Sequence, residues 1–289
     1  MHLKQKINHS PITCPDCSAP LVRDEELANC DQCKREFVPR SGVHNLWPKI
    51  NEQTEEDLWW EERFDKLVRE RGPDTAKVCE YYDEESYSEK KSQLIQWMGP
   101  QKNKRLIDIG CGPGLFAKEW VNDNDVVGVD QSFEMVSAAA SRGLEAFRAP
   151  ADNLPFPDST FDGAVLIEIL QAVSRPMTVL KEAVRVVKPG GVIMMSTHNG
   201  ASLVKRMSYA LLHHKNKLVR RLLSPVFPYH DGPAHLTFTY RELERELAVL
   251  GCREVTGQYF YLPTTYRGPA GGLLQGLLAP SLAVRAVVG

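Results

Sequence analysis

Between residues 105 and 200, short apolar runs alternate with segments that repeat apolar residues at helical spacing. Apolar runs that end at turn residues predict buried strands, whereas apolar residues at i, i+3 and i+4 predict helices with one buried face. The predicted strands cover 106–109, 126–129, 145–148, 163–167 and 192–196, and the predicted helices cover about 115–121, 133–141 and 177–187. Near-continuous apolar strands separated by helices predict an α/β fold in which a parallel sheet carries helices on both faces.

Two more helices are predicted ahead of this region, at 55–71 and 88–98. The first carries an imperfect apolar stripe that includes Leu58, Phe64 and Leu67, and a Gly-Pro pair follows each helix. Glycine followed by proline ends a helix because the proline cannot continue the backbone ladder. Residues 49–100 are therefore expected to form a linker with two helices.

The composition is that of an ordinary globular protein. The chain has 289 residues and a formal net charge of −2, which argues against a globally basic nucleic-acid-binding protein. No basic N-terminal segment with an apolar core and no stretch of about 20 apolar residues is present, so a cytoplasmic location is expected. Seven cysteines without a secretory signal suggest that some of them are metal ligands rather than disulfide partners.

Four of these cysteines form two Cys-x2-Cys pairs near the N-terminus, separated by twelve residues. They are Cys14, Cys17, Cys30 and Cys33. Four thiolates match the tetrahedral preference of Zn²⁺ and leave no open position, so the predicted site is structural. Residues 1–48 are too few to bury an adequate core, so metal binding is expected to supply much of their folding free energy. His44 is expected to lie in a turn.

The strand at 106–109 carries Asp108 and runs into a glycine-rich turn that ends where a helix is predicted. Glycines let the backbone approach a ligand closely, and a helix start offers unpaired N–H groups. The spacing departs from the dinucleotide fingerprint G-x-G-x-x-G, because the third glycine comes one residue early. The segment D-x-G-C-G-P-G instead resembles motif I of the class I S-adenosylmethionine (SAM) methyltransferases.

Two later segments extend this resemblance. Residues 149–162 resemble the A-D-x-L-P-F-x-D-x-x-F-D segment of the ubiquinone and menaquinone methyltransferases (type 11), and 185–191 resemble the turn into strand five of that family. The resemblance implies a Rossmann-like, seven-stranded sheet over 101–289, preceded by helices that cover the cofactor. Residues 37–48 resemble the end of a zinc ribbon of the methyltransferase-activator type. They are also similar to the zinc module of 23S rRNA guanine-N1 methyltransferases, although one ligand in that family is usually histidine.

The resemblance also implies the cofactor-binding residues. Asp108 would organise the turn and the methionine part of SAM, Asp130 would accept hydrogen bonds from both ribose hydroxyls, and Asp152 would accept one from the adenine amino group. A carboxylate at the end of a strand, such as Asp130, is also typical of a helix N-cap. The remaining implied cofactor contacts are Gly110, Cys111, Gly112, Gly114, Gln131, Ala151, Asn153 and Ile167.

The acceptor site is less clearly marked. SAM carries an activated methyl group, so an enzyme has mainly to position the acceptor and exclude water. Glu168 and His198 follow strands four and five, and they are the candidate catalytic residues. His198 is also typical of a hydrogen-bonded loop histidine, and Glu168 could orient the acceptor or cap a helix. Tyr82, Tyr87 and His235 are candidates for the lid or the substrate site.

A basic insertion is expected at about 198–235, between strand five and the last helix. Residues 198–230 contain no acidic residue, and leucines recur at helical spacing among lysines and arginines. Such a segment can lie on an anionic membrane surface, contact RNA phosphates, or roof the substrate pocket. The apolar segment 271–289 is too short and interrupted to span a bilayer.

These observations favour a cytoplasmic SAM-dependent methyltransferase, with membrane contact through the basic insertion as one alternative. Its acceptor would be a small or lipid-like molecule methylated on O, C or N. One alternative is an RNA base methyltransferase that binds RNA through the zinc ribbon. Another is a SAM-binding protein without catalytic activity that docks partners.

Overall fold

A computed structural model describes residues 10–24, 27–49, 53–79, 84–99, 101–203, 206–207, 233, 235–260 and 273–289. Within these residues, the main sheet has eight strands in the order β10-β11-β9-β8-β5-β6-β7-β4, and a separate three-stranded sheet has the order β1-β2-β3. The strands are β1 (Leu21–Arg23), β2 (Ala28–Cys30), β3 (Glu36–Phe37), β4 (His44–Asn45), β5 (Arg105–Ile109), β6 (Asp125–Asp130), β7 (Glu145–Arg148), β8 (Phe161–Ile167), β9 (Val187–His198), β10 (Arg253–Phe260) and β11 (Ser281–Val287).

The helices are α1 (Glu55–Arg71), α2 (Glu84–Met98), α3 (Phe133–Ser141), α4 (Pro176–Val186), α5 (Tyr240–Val249) and α6 (Leu273–Leu278). The predicted helices at 55–71 and 133–141 have these bounds, and α2 begins four residues earlier than predicted. The predicted helix at 115–121 is wrong. Only a short 3-10 helix, Ala117–Glu119, forms there, and Trp120 N donates to Ala117 O at 2.9 Å. The ten residues between Gly114 and β6 turn back too soon for a longer helix to fit.

The central strands are parallel, as predicted, and β11 runs antiparallel between β9 and β10. The strand order reverses between β5 and β8, so a crevice is expected at the carboxyl ends of these strands. The sheet has one strand more than the seven predicted, because β4 pairs in parallel with β7 at the edge, with His44 opposite Phe147.

Alternating residues of each strand enter two different cores, as the twofold repeat of a strand requires. Ile107 of β5 packs in a core that includes α4, α5 and the cysteine-containing segment. Leu106 packs on the opposite side with residues of α2 and α3. The N-terminal segment is therefore part of the main hydrophobic core, and Ile12, Cys14 and Phe37 contribute buried side chains to it.

Most of the predicted basic insertion lies outside the described residues. Tyr82 lies outside them as well. Among the described residues, no helix has the length and apolar content that are needed to cross a membrane.

Candidate functional site

A cleft of about 1240 Å³, its open mouth included, lies at the carboxyl ends of β5, β6, β7 and β8. This is the position that the reversal of strand order predicts for a ligand. Helix α1 and the residues before it form part of the opposite wall, through Gln53, Asp57 and Phe64. The predicted cofactor residues that line the cleft are Asp108, Gly110, Cys111, Gly112, Asp130, Gln131, Ala151, Asp152 and Ile167.

The glycine turn is held against the end of β6. Gly110 N donates to Val129 O at 2.7 Å, and Gly112 N donates to Asp130 Oδ2 at 2.9 Å. Gly110 has a φ of +73°, and a Cβ at this position would lie only 2.6 Å from the side chain of Ile169. A larger residue is therefore excluded here by both backbone conformation and space.

Asp130 lies at the end of β6, where it lines the cleft and supports the turn. Its Oδ1 accepts from Ser132 N at 2.9 Å, so each carboxylate oxygen has one backbone donor and a remaining lone pair. The N-cap of α3 is Ser132 and not Asp130, because the Ser132 hydroxyl accepts from Met135 N at 3.1 Å. Burial raises the pKa of Asp130 to about 6, although the backbone donors oppose this shift.

Asp108 lies on β5 behind the turn and is almost fully buried. Burial, together with the nearby charge of Asp130, raises the pKa of Asp108 to about 7. Both carboxyl groups therefore have raised pKa values, and a cationic ligand bound beside them would stabilise their ionised forms.

Asp152 follows β7 and forms an ion pair with Arg175, with 2.7 Å between Oδ2 and the guanidinium. Burial raises the pKa of Asp152, and Arg175 opposes the shift.

Two predicted cofactor contacts are not among the residues that line the cleft. Asn153 points its amide towards Pro15 O, at 3.5 Å. Gly114 packs on α3, where an added Cβ would lie 3.2 Å from Ala139.

Glu168 lines the cleft immediately after β8 and has a φ of +57°, which is unusual for a residue other than glycine. Its carboxylate accepts from Lys90 Nζ and Gln171 Nε2, both at 2.6 Å, and from Ser196 Oγ at 3.0 Å. Burial alone would raise the pKa of Glu168, but Lys90 and His198 outweigh it and hold this pKa well below its usual range. An anion held so firmly is poorly suited to accept a proton near neutral pH.

His198, at the end of β9, is buried, and its Nε2 lies 3.7 Å from Glu168 Oε2. The His198 ring packs edge to face on His235, which in turn stacks on Trp60 of α1 with 4.9 Å between ring centroids. The structure thus brings the candidates Glu168, His198 and His235 together. Glu168 lines the cleft, whereas the other two lie outside its lining.

Tyr87 of α2 lines the cleft, and burial raises the pKa of its hydroxyl well above the usual value.

Several residues that line the cleft were not predicted from the sequence, among them Trp47, Asp57 and Arg175. Asp57 closes a capping box with Thr54 at the start of α1 and accepts from Ser174 Oγ at 2.9 Å. The capping box is readable in the sequence, but the contact with Ser174 depends on how α1 crosses the sheet.

The four N-terminal cysteines form the second candidate site, and their Sγ atoms all lie within 4.8 Å of one another. The Cys14–Cys33 and Cys17–Cys30 sulfur pairs are 3.6 and 3.5 Å apart. Sulfur ligands at about 2.3 Å from a tetrahedral zinc ion are about 3.8 Å apart, so the donor set and spacing fit Zn²⁺. His44 is not part of this cluster. It lies in β4 rather than in the predicted turn, and its Nδ1 is 3.2 Å from Phe37 O.

Comparison with known proteins finds sequence matches for the central part of the chain. Residues 107–195 match the family model of a methyltransferase domain. The chain is 34% identical over 112 residues to 2-phytyl-1,4-naphtoquinone methyltransferase of Synechococcus elongatus, covering 35% of this chain and 48% of that protein. It is 38% identical over 108 residues to probable tRNA methyltransferase 9B of Homo sapiens, covering 36% and 23%. The chain spans less than half the length of these curated relatives.

A solved structure of a SAM-dependent methyltransferase from Thermotoga maritima, a possible histamine N-methyltransferase, has the same fold. Its TM-score is 0.55 at 21% identity, and the match covers 79% of this chain and 99% of that one. The strand order, the position of the cleft and the family match agree with one another. Residues 107–195 therefore match a methyltransferase domain, and the chain shares the fold of the Thermotoga maritima protein.

Proposed function

We propose that the protein is a SAM-dependent methyltransferase that acts on a small or lipid-like acceptor. One observation carries this proposal: the fold brings Asp108, the glycine turn, Asp130 and Asp152 into one cleft at the carboxyl ends of the strands. These groups are up to 44 residues apart in the chain, and their convergence gives the cleft three carboxyl groups beside the glycine turn.

The charges of the cleft suit this cofactor. SAM carries a sulfonium and an ammonium group, and a cationic ligand favours the ionised forms of Asp108 and Asp130. Asp130 keeps free lone pairs for two ribose hydroxyls, and Asp152 faces the same cleft for the adenine amino group. Bound SAM supplies an activated methyl group, so the protein has to hold the acceptor in line and exclude water.

Glu168 fits the role of a positioning residue for the acceptor. Its carboxylate is fixed by Lys90, Gln171 and Ser196, and it lines the cleft beside the predicted cofactor residues. Because its pKa is held low, we assign it hydrogen bonding to the acceptor rather than proton removal. Transfer to an acceptor that is already deprotonated, or that loses its proton to water afterwards, requires no base from the protein.

The acceptor class is supported by two observations. The cleft has apolar walls that include Phe64, Phe116 and Ile169, which suits an uncharged or greasy acceptor. The naphtoquinone methyltransferase is among the relatives. We further propose that the four-cysteine cluster binds one structural zinc ion, because its donor set and spacing fit that ion.

An RNA acceptor is the second candidate, favoured by the similarity to a probable tRNA methyltransferase. The N-terminal segment weighs against a free RNA clamp, because it is packed into the core of the sheet. One experiment separates the two candidates: methyl transfer from labelled SAM into a cell extract, followed by fractionation into lipid, small-molecule and RNA pools. We expect label outside RNA. Label confined to RNA would reverse the order of the candidates, and SAM binding without transfer would favour a non-catalytic protein.

Binding of SAM is tested by calorimetry on the wild type and on Asp130→Ala. We expect the substitution to weaken SAM binding by at least about tenfold, because a bidentate carboxylate is lost. Asp123→Ala is the control, since Asp123 is exposed in the turn at the other end of β6. Equal affinities of the two variants would contradict the ribose assignment.

A further inference from the structure

Trp47 belongs to the N-terminal segment, yet it lines the cofactor cleft. It follows β4, which pairs with β7, and Leu46 N donates to Arg148 O at 2.8 Å. The Arg148 guanidinium covers the indole ring at 4.7 Å from its centroid and also donates to Gln131 O at 2.8 Å. Trp47 therefore sits beside the residues that follow β6 and β7, where we place the ribose and the adenine.

A short chain of hydrogen bonds, which we call the relay, connects Trp47 to the cysteine cluster through Arg35 and Asp16. Asp16 lies between Cys14 and Cys17, and its Oδ2 accepts from Arg35 at 2.8 Å. Arg35 follows the second cysteine pair and also donates to Trp47 O at 2.8 Å. Asp16 Oδ1 accepts from Lys49 N at 2.7 Å, so the chain is held on both sides of Pro48, directly after the Trp47 side chain.

The same cysteine loop supports the other wall of this end of the cleft. Thr13 N donates to Pro155 O at 2.9 Å, and Ile12 packs in one cluster with Leu154 and Phe156. Leu154, Pro155 and Phe156 lie in the loop that carries Asp152. The cysteine segment thus contacts the cleft in two places, once through Trp47 and once through the loop that carries Asp152.

We propose that Trp47 is a binding residue for the adenine end of the cofactor, and that the cysteine cluster determines its position. This inference rests on the proposed function, because it requires SAM in the cleft. It makes the N-terminal module a part of the cofactor site, with affinity for SAM dependent on the metal.

The dependence on the metal follows from where the relay begins. Asp16 belongs to the first cysteine loop and Arg35 to the end of the second, so their ion pair requires the two loops to lie side by side. An ion shared by both loops holds them in this way. Without it, the pairing between the two loops depends on β1, β2 and β3, which are only two or three residues long and hold the loops less firmly.

The relay is tested by Arg35→Met, with Arg40→Met as the matched control. Each arginine lies over a phenylalanine ring, Arg35 on Phe37 at 4.5 Å and Arg40 on Phe133 at 4.6 Å, but only Arg35 joins Asp16 to Trp47. We expect Arg35→Met to weaken SAM binding in calorimetry by about 3–10-fold while the bound zinc stays at about one per chain. Arg40→Met should bind SAM as the wild type does.

A thermodynamic cycle tests whether Trp47 transmits the effect. SAM affinity is measured with zinc bound and after chelation, in the wild type and in Trp47→Ala, with circular dichroism to confirm that the core stays folded. We expect chelation to weaken wild-type binding by about tenfold and Trp47→Ala binding by about twofold or less. Trp47→Phe, which keeps an aromatic face, should retain most of the affinity.

The outcomes separate this inference from the proposed function. A wild type that does not bind SAM refutes the proposed function itself. If the wild type binds SAM but chelation weakens binding equally in the wild type and in Trp47→Ala, only the role of Trp47 is refuted. Equal SAM affinities of Arg35→Met and Arg40→Met would likewise overturn the relay while leaving SAM binding intact.

Discussion

At the scale of single residues, the cleft combines acids that differ sharply in proton affinity. The pKa of Asp108 is raised by burial, and the pKa of Glu168 is lowered because Lys90 and its other partners outweigh burial. For Asp108, both burial and the nearby charge of Asp130 act to raise the pKa, and no protein cation opposes them among the described residues. The two acids therefore suit different tasks, since Asp108 gains from a cationic ligand while Glu168 is already neutralised by the protein.

The raised pKa of Asp108 predicts a pH-dependent stability. Its folded pKa of about 7 lies above the unfolded value of about 3.9, so its ionisation opposes folding. This cost is absent below about pH 4, grows as the pH rises, and is complete above about pH 7. We expect Asp108→Asn to raise the free energy of unfolding, without ligand, by about 1–3 kcal/mol at about pH 8, and by progressively less towards about pH 4.

Urea unfolding across this pH range measures the effect, and calorimetry of the same variant provides the counterpart. Asp108→Asn should bind SAM more weakly while being more stable, because the ionised carboxylate serves the ligand and not the fold. A variant that is less stable than the wild type at about pH 8 would show that the carboxylate supports the fold instead.

At the scale of elements, ion pairs and caps fix how the two early helices lie on the sheet. Helix α1 is joined to the opposite side of the cleft through Asp57 and Ser174, and to α3 through Asp65, which accepts from Ser132 Oγ at 2.5 Å. Helix α2 is joined to the residue that follows β8 through the Lys90–Glu168 ion pair. Residues of both helices line the cleft, so these contacts set its shape.

The Lys90–Glu168 pair predicts a large effect on stability. Both side chains are largely buried, at 5% and 17% exposure, so removing one charge leaves the other without its main partner. We expect Lys90→Met to lower the free energy of unfolding by about 3 kcal/mol. Adding Glu168→Gln to this variant should recover part of the loss, because the uncompensated carboxylate is removed.

The neighbouring Lys91 provides the control. It pairs with Glu119 at 2.8 Å, but this pair is more exposed, at 17% and 40%. Lys91→Met is therefore expected to cost no more than about 1 kcal/mol in urea unfolding. Equal losses for Lys90→Met and Lys91→Met would show that burial of the first pair has no energetic consequence.

At the scale of the whole molecule, the cysteine segment and the sheet form one hydrophobic core. Beyond the pairing of β4 with β7, Arg23 forms an ion pair with Glu145 at the start of β7, and Ser10 also contacts Glu145. The cysteine segment thus contacts both ends of β7. The division of the chain at residues 48 and 100 remains a prediction, and these contacts indicate that its first part folds against the third.

This packing predicts that metal loss destabilises the whole protein. Cys14→Ser should leave no bound zinc in metal analysis and should lower the melting temperature of the single unfolding transition. A chelator should lower the melting temperature of the wild type but not that of Cys14→Ser, because only the wild type gains stability from the ion. Cys252→Ser is the control, since Cys252 is buried outside the cluster. A chelator without effect on the wild type would contradict the zinc assignment.

The sequence by itself determined the local elements and the order of the motifs. The apolar runs located β5 to β9, the turn residues marked the ends of α1 and α2, and the spacing of the cysteines predicted their clustering. These features could be predicted because strand alternation, helix capping and ligand spacing depend on residues close together in the chain. The short segment after Gly114 was predicted wrongly because its apolar residues are buried without a helix.

Only the tertiary structure decided which distant residues meet. It placed Trp47 and Arg175 in the cleft, joined Lys90 to Glu168, stacked His235 on Trp60, and added β4 to the sheet. None of these contacts follows from local pattern, because each depends on how elements dozens of residues apart cross one another. The physical reason is that burial and long-range pairing, rather than chain neighbours, set the partners and the pKa values of these side chains.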